Sequence, residues 1–179
     1  GFFMLDRSPT SKPLPGFGVI TGTAFLLDVE LTNASPYFFS NTLDFADNPF
    51  DSGIDDPFLT VGGRSLLASA AGCSSLLAQV FAFEVLARTE GATLLKSGAE
   101  ILYKDTGGKK TSFLVAIDGV KIGVSVTRAV TFPRGSAYTA QMAETLLTAK
   151  LTDIVSSSAN VAAADAWKKQ ILHIIADEQ

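Results

Sequence analysis

The spacing of apolar positions changes several times along the chain, and each change marks an element. Residues 1–17 hold few periodic apolar positions and four backbone punctuators, Pro9, Pro13, Pro15 and Gly16. That pattern predicts an extended arm or loop. Over residues 18–33 the text turns β-like, with Val19, Ile20, Thr23, Phe25, Leu27, Val29 and Leu31. Within it, Leu27-Asp28-Val29-Glu30-Leu31 alternates apolar and acidic side chains, as a half-buried strand does. Residues 34–63 lose the period and gather Asn48-Pro49, Asp51-Ser52-Gly53, Asp55-Asp56-Pro57 and Gly62-Gly63, which predicts loop.

A helical pattern covers residues 65–88, with Ser74 or Ser75 available as a cap for the part from residue 76 onward. Residues 76–86 are apolar nearly all round, so this helix is expected to be buried. Glu84 sits inside that run, and a carboxylate there has to be ion-paired, metal-bound or protonated. Short strands are expected at Ala92-Thr93-Leu94-Leu95 and Glu100-Ile101-Leu102-Tyr103, then at residues 112–117. Asp118-Gly119 is a two-residue hairpin signal leading into a strand over residues 120–130, on which Lys121, Ser125 and Thr127 share one face. Pro133 and Gly135 end it. A helical stripe follows over residues 138–155, at Met142, Leu146, Leu147, Leu151, Ile154 and Val155, with Ser156-Ser157-Ser158-Ala159-Asn160 as its terminator. The Ile-rich residues 170–176 read as a last buried strand.

Residues 74–176 thus run helix, strand, strand, strand, helix, strand. Hairpins give antiparallel neighbours, and a strand–helix–strand crossover favours a parallel pair. The expectation is an α/β (α+β) fold whose mixed sheet carries helices on its faces. One compact domain is expected overall, with an arm, strand and acidic loop over residues 1–63 packed on a core of residues 64–179.

Composition narrows the functional classes. Hydrophobic residues make up 47% of the 179 and charged residues 18%, enough apolar content for a packed core. No apolar run reaches the roughly 20 residues needed to span a bilayer, and Gly1-Phe2-Phe3-Met4-Leu5-Asp6 lacks the basic region of a signal peptide. Cys73 is the only cysteine, which excludes an intrachain disulfide and a cysteine-based zinc site; it reads as a small buried apolar residue. Residues 1–100 carry net charge −6 and residues 101–179 net +2. Contact with nucleic acid is therefore expected to be local and confined to the C-terminal half. Five Asp lie between Asp44 and Asp56, but their spacing departs from an EF-hand and reads as a solvated loop.

The order helix–strand–strand–strand–helix–strand resembles the core of the PD-(D/E)XK, or restriction-endonuclease-like, nuclease superfamily. The segments Gly123-Val124-Ser125-Val126-Thr127-Arg128-Ala129 and Trp167-Lys168-Lys169-Gln170-Ile171-Leu172-His173 are similar to a family, of activity not established, related to that superfamily. The resemblance covers about the last hundred residues. It implies an acidic residue opening the second core strand, a D/E-x-K triplet on the third, and a Glu from the first helix. Carried over by position, Ser112 stands at the acid, Ser125 and Thr127 at the triplet's acid and lysine, and Glu84 at the helix Glu. Glu100 keeps acidic character on the first strand, Arg128 follows the triplet, and Lys121 is placed to stand in for the displaced lysine.

A nuclease of this kind positions water on one or two divalent metals, which prefer carboxylate ligands. If active, the chain would hold Mg2+ or Mn2+ on Glu84 and Glu100, with Asp105 or Asp118 contributing. Each residue also has a plainer reading. Glu84 would pair with Arg88 or Arg128; Glu100 and Lys121 would be strand-face charges; Asp118 would be a turn residue; Ser125 and Thr127 would satisfy one another. His173 would be a core histidine, and Trp167 with Lys168 and Lys169 would be an element edge instead of a stacking and phosphate contact. Three functions stand at this point. The chain is a metal-dependent nuclease with its candidate residues in one cleft, an inactive nuclease-fold binding module, or a domain that self-associates through its N-terminal arm.

Overall fold

The computed structural model describes residues 12–14, 17–22, 28–69 and 75–176. The first described elements are strands β1 (Lys12–Leu14) and β2 (Gly18–Gly22) and helix α1 (Asp28–Thr32). Strand β3 (Asn41–Asp44), a 3-10 turn (Asp56–Phe58) and helices α2 (Val61–Ser69) and α3 (Leu76–Glu90) follow. Then come β4 (Thr93–Ser97), β5 (Phe113–Ile117), β6 (Val120–Ala129), α4 (Ala140–Asn160), a 3-10 turn (Ala163–Asp165) and β7 (Lys169–Ala176). The described residues form a mixed α+β fold with two sheets. One is antiparallel, in the order β1-β2-β3; the other is mixed, in the order β4-β5-β6-β7.

The second sheet follows its sequence pattern closely. Asp118 and Gly119 both take positive φ, 49° and 77°, which makes the two-residue turn that pairs Ile117 with Val120. β4, β5 and β6 are antiparallel neighbours, and the crossover through α4 brings β7 parallel to β6 from Ile122–Lys169 to Ala129–Ala176. Side chains alternate across this sheet. Phe113, Val115, Ile117, Ile122 and Val124 face α3 and form the main core with Val80, Phe83 and Leu86. Leu114 lies on the opposite face, in a smaller cluster with Ile101 and Val161, against which Tyr103 and Trp167 pack. Phe83 and Phe113 meet edge to face at 6.0 Å, which fixes α3 over the first face. Phe17 joins the same core and contacts Phe45, Phe50 and Phe81 at 5.4–6.1 Å.

Several elements differ from the expected ones, each for a tertiary reason. The alternating Asp28–Thr32 segment is helical, not a strand. Asn33 N–H bonds Val29 O at 2.8 Å, and Lys169 Nζ reaches from β7 to the carbonyls of Glu30, Asn33 and Ser35 at 2.7–3.0 Å. A cation from a distant strand thus supplies the acceptors at the helix end with a donor. The helix expected over residues 65–88 is two helices, and Gly62 and Gly63 lie inside the first, not in a loop. Both glycines are needed for α2 to approach α3: a Cβ on Gly62 would collide with the Phe83 ring, and one on Gly63 with Glu84 Oε1. Residues 100–103 form a turn and one isolated bridge, Tyr103 to Val161, instead of a strand. α4 continues to Asn160 through the serines expected to end it. Ser157 Oγ bonds Ile154 O, and Asn160 bonds the 105–109 loop.

The stripe on α4 has the expected period but not the expected burial. Ser157 is its only buried residue, and Leu147, Leu151 and Val155 are 39%, 53% and 71% exposed. Cys73, Ser74 and residues 1–11 lie outside the described residues. The described part of the N-terminal arm, Lys12–Leu14, pairs with β2 of its own chain.

Candidate functional site

The seven candidate residues do not meet in one cleft; they fall into three places. Glu84 and Arg128 belong to the α3 side of the β4–β7 sheet. Ser125, Thr127 and Lys121 alternate onto the α4 side, with Ser112, the residue before β5, bonded to Val126 beside them. Glu100 lies in the turn after β4.

Glu84 is fully buried and fully engaged. Its Oε1 accepts from Thr60 N at 2.8 Å and Thr60 Oγ1 at 2.6 Å, and its Oε2 accepts from Arg88 Nε at 2.6 Å. Arg88 also donates to Phe58 O at 2.6 Å and lies 4.9 Å over the Phe17 ring. This i,i+4 ion pair clamps the entry to α2 against α3. A buried carboxylate with three charge-assisted or hydroxyl donors is stable as a structural group. Glu100 Oε2 accepts from Ser97 N at 2.8 Å and Ser97 Oγ at 2.7 Å, closing the turn after β4. The backbone bond from Ser97, then its hydroxyl, hold the Glu100 carboxyl below its ordinary range.

On the α4 side the positions implied for the acidic residues form a neutral network. Ser112 Oγ accepts from Val126 N at 3.0 Å and so extends the strand ladder in place of a carbonyl. Ser125 Oγ lies 3.0 Å from Thr111 Oγ1, and Gln170 Nε2 donates to both, at 2.7 and 2.9 Å. Gln170 Oε1 accepts from Ser157 Oγ and Ser158 Oγ at 3.2 and 2.9 Å, and Ser158 Oγ accepts from Trp167 Nε1 at 3.0 Å. The indole packs on Gly123, where a Cβ would come within 2.8 Å of Trp167 Cδ2. No buried side-chain nitrogen or oxygen lacks a partner among the described residues. Ser125 is satisfied by Gln170 and Thr111, not by Thr127.

Lys121 Nζ donates to Ala164 O at 2.9 Å. Asp165, the buried last residue of the same 3-10 turn, accepts from Lys96 Nζ at 2.8 Å and Leu102 N at 2.7 Å. Burial raises the Asp165 carboxyl, but those bonds and the Lys96 charge outweigh it and hold the group below its ordinary range. Asp105 and Asp118 are turn residues: Asp105 Oδ1 accepts from Gly107 N at 2.8 Å, and Asp118 forms the β5–β6 turn. His173 pairs with Val126 across the sheet, and desolvation lowers its imidazole to about 4, so the ring is neutral at pH 7.

Chemically, the α4-side network can orient strands and a helix, but it offers hydroxyls and a carboxamide and none of the carboxylates on which a divalent ion is usually held. No group of three or more metal-type side chains occurs among the described residues. The sequence reading missed Thr111, Gln170, Ser157 and Ser158. The available signals were a glutamine beginning an Ile-rich strand and the serine run at the end of α4.

The chain is 38% identical over 133 residues to the AAC-rich mRNA clone AAC4 protein of Dictyostelium discoideum. The match covers 70% of this chain and 19% of that protein, so the chain corresponds to about a fifth of its relative. No family model and no solved structure matches the chain. No helix among the described residues is long and apolar enough to cross a membrane.

Proposed function

We propose that this chain is a restriction-endonuclease-like αβββαβ scaffold that works by binding a partner and does not cleave phosphodiesters. The element order α3-β4-β5-β6-α4-β7 and the parallel β6–β7 pair support the kinship. One observation carries the non-catalytic reading. The strand positions implied for the metal-binding acids are Ser112 and Ser125, which are absorbed into a ladder bond and a neutral network with Gln170, while Glu84 is committed to Thr60 and Arg88 on the other side of the sheet. Phosphodiester hydrolysis without charged metal ligands would lack the groups that offset transition-state charge.

The placement of the cations favours a protein partner over nucleic acid. Lys104, Lys121 and Lys169 donate to backbone carbonyls, and Lys96 and Lys109 pair with Asp165 and Asp153. Cations tied to their own chain release few counterions on binding a phosphate backbone. The test is incubation with single- and double-stranded DNA and RNA in Mg2+ and in Mn2+, beside Ser125→Ala and Glu100→Ala. The expected result is no cleavage by any of the three proteins. Metal-dependent cleavage by the wild type that either substitution abolishes would overturn the proposal.

A further inference from the structure

The segment between β3 and α2 is held unusually firmly for a surface loop. Residues 51–59 are a chain of tight turns: Ile54 N and Asp55 N bond Asp51 O at 3.1 and 2.8 Å, and Phe58 N bonds Asp55 O at 2.9 Å. Asp55 is buried, and its Oδ2 accepts from Asp51 N at 2.7 Å. From beneath, Arg88 donates to Phe58 O at 2.6 Å, Arg64 to Leu59 O at 2.6 Å, and Thr60 to Glu84. Leu59 is the anchor, buried in the main core. Its neighbours point the other way. Ile54, Phe58 and Val61 are 70%, 47% and 76% exposed within eight residues of one another.

Single exposed apolar side chains need no explanation. Three on one pinned segment, one of them aromatic, make a surface whose ordering cost is already met before binding. The charge within the segment is mainly acidic, Asp51, Asp55 and Asp56 standing against the one exposed guanidinium of Arg64. Between Lys12 and Arg64 the sequence has no lysine or arginine and seven carboxylates, of which Asp44, Asp47 and Asp51 are exposed. The guanidinium groups of Arg64 and Arg88 bond backbone carbonyls of the loop.

We infer that the Ile54–Phe58–Val61 surface docks a cationic amphipathic segment of another protein, apolar side chains seated on the triad and lysines or arginines facing the Asp-rich rim. Complementary charge speeds and orients such an encounter. The same charge repels nucleic acid and anionic lipid. The inference rests on reading the chain as a binding scaffold and assigns that scaffold its partner's chemistry.

The experiment is fluorescence anisotropy with three labelled 14-residue peptides: leucine and lysine at helical spacing, the same composition shuffled to destroy the apolar face, and a version with glutamate for lysine. The wild type is expected to bind the first peptide at least tenfold more tightly than the shuffled one and to show no binding of the acidic one. Phe58→Ser with Val61→Ser is expected to weaken binding at least tenfold, and Asp51→Asn with Asp56→Asn at least threefold at low salt. Circular dichroism confirms that the variants stay folded. Equal binding of the shuffled peptide, or affinity unchanged in the Phe58/Val61 variant, would overturn the inference. So would a wild-type dimer, abolished by that variant, with which the peptide does not compete, because the occupant would then be a second copy. Nucleic-acid cleavage would sink the scaffold reading while leaving this titration intact, so the two failures are distinguishable.

Discussion

Replacing Glu84 by alanine removes the one fully buried carboxylate on α3 and leaves Arg88, whose side chain is 13% exposed, without its ion-pair partner. Breaking a buried pair from one side costs about 3–5 kcal/mol, because the remaining charge stays buried. The Thr60 hydroxyl and amide also lose their acceptor. Glu84→Gln keeps an acceptor for Thr60 and is expected to cost less, about 1.5–3 kcal/mol, the worth of a hydrogen bond to a charged group. Glu84→Ala with Arg88→Met removes both charges and is expected to recover part of the loss. The assay is urea unfolding followed by the fluorescence of Trp167, the chain's only tryptophan. With a slope of about 2–3 kcal/mol per molar urea, Glu84→Ala should lower the midpoint by about 1–2.5 M. A loss below about 1 kcal/mol would refute the clamp. So would a wild-type midpoint that rises in 10 mM Mg2+ but stays fixed in Glu84→Ala, since a ligand stabilises only the state that binds it.

Other outcomes follow from single contacts. Lys169→Met should release residues 28–37 and cost about 1.5–3 kcal/mol, read as faster amide exchange confined to that segment. Gly123→Ala places a methyl 2.8 Å from Trp167 Cδ2; the indole has to shift, costing about 1–3 kcal/mol, and its emission should move to the red. His173 has a folded pKa of about 4, below its ordinary 6.5, because burial disfavours the charged ring. The unfolded chain therefore binds the proton first as pH falls. The stability held by the neutral ring is complete above about pH 6.5 and is lost toward pH 4, with a slope of up to about 1.4 kcal/mol per pH unit. His173→Phe should flatten urea midpoints across that window, and an unchanged pH profile would contradict the assignment.

What the sequence disclosed was local, and what it hid was tertiary. The Asp118-Gly119 turn, the alternation of β6 and the Ile-rich last strand are short-range signals, and each appears at its expected place, but the last strand, expected to be buried, has no buried residue. The Asp28–Thr32 alternation misled because one lysine 139 residues from Glu30 settles the helix end. Gly62-Gly63 read as a loop because nothing in sequence announces that Phe83 and Glu84 need the space of two missing side chains. Glu84 was legible as a buried carboxylate with Arg88 one turn on, since i,i+4 spacing is local. Its separation from Ser125 was not, because which face α3 covers depends on packing, as does the exposure of the α4 stripe. The Gln170 network joins positions up to 59 residues apart, and no periodicity reports such a meeting.

A non-catalytic scaffold has no home for a divalent ion beside β5 and β6. Titrating Mn2+ into isotopically labelled protein and recording the relaxation of backbone amides tests this directly. Weak, unsaturating broadening spread over surface carboxylates is the result the neutral network predicts. Saturable broadening centred on Ser112 and Ser125 would place a metal where this account puts only hydroxyls and an amide, and would contradict it.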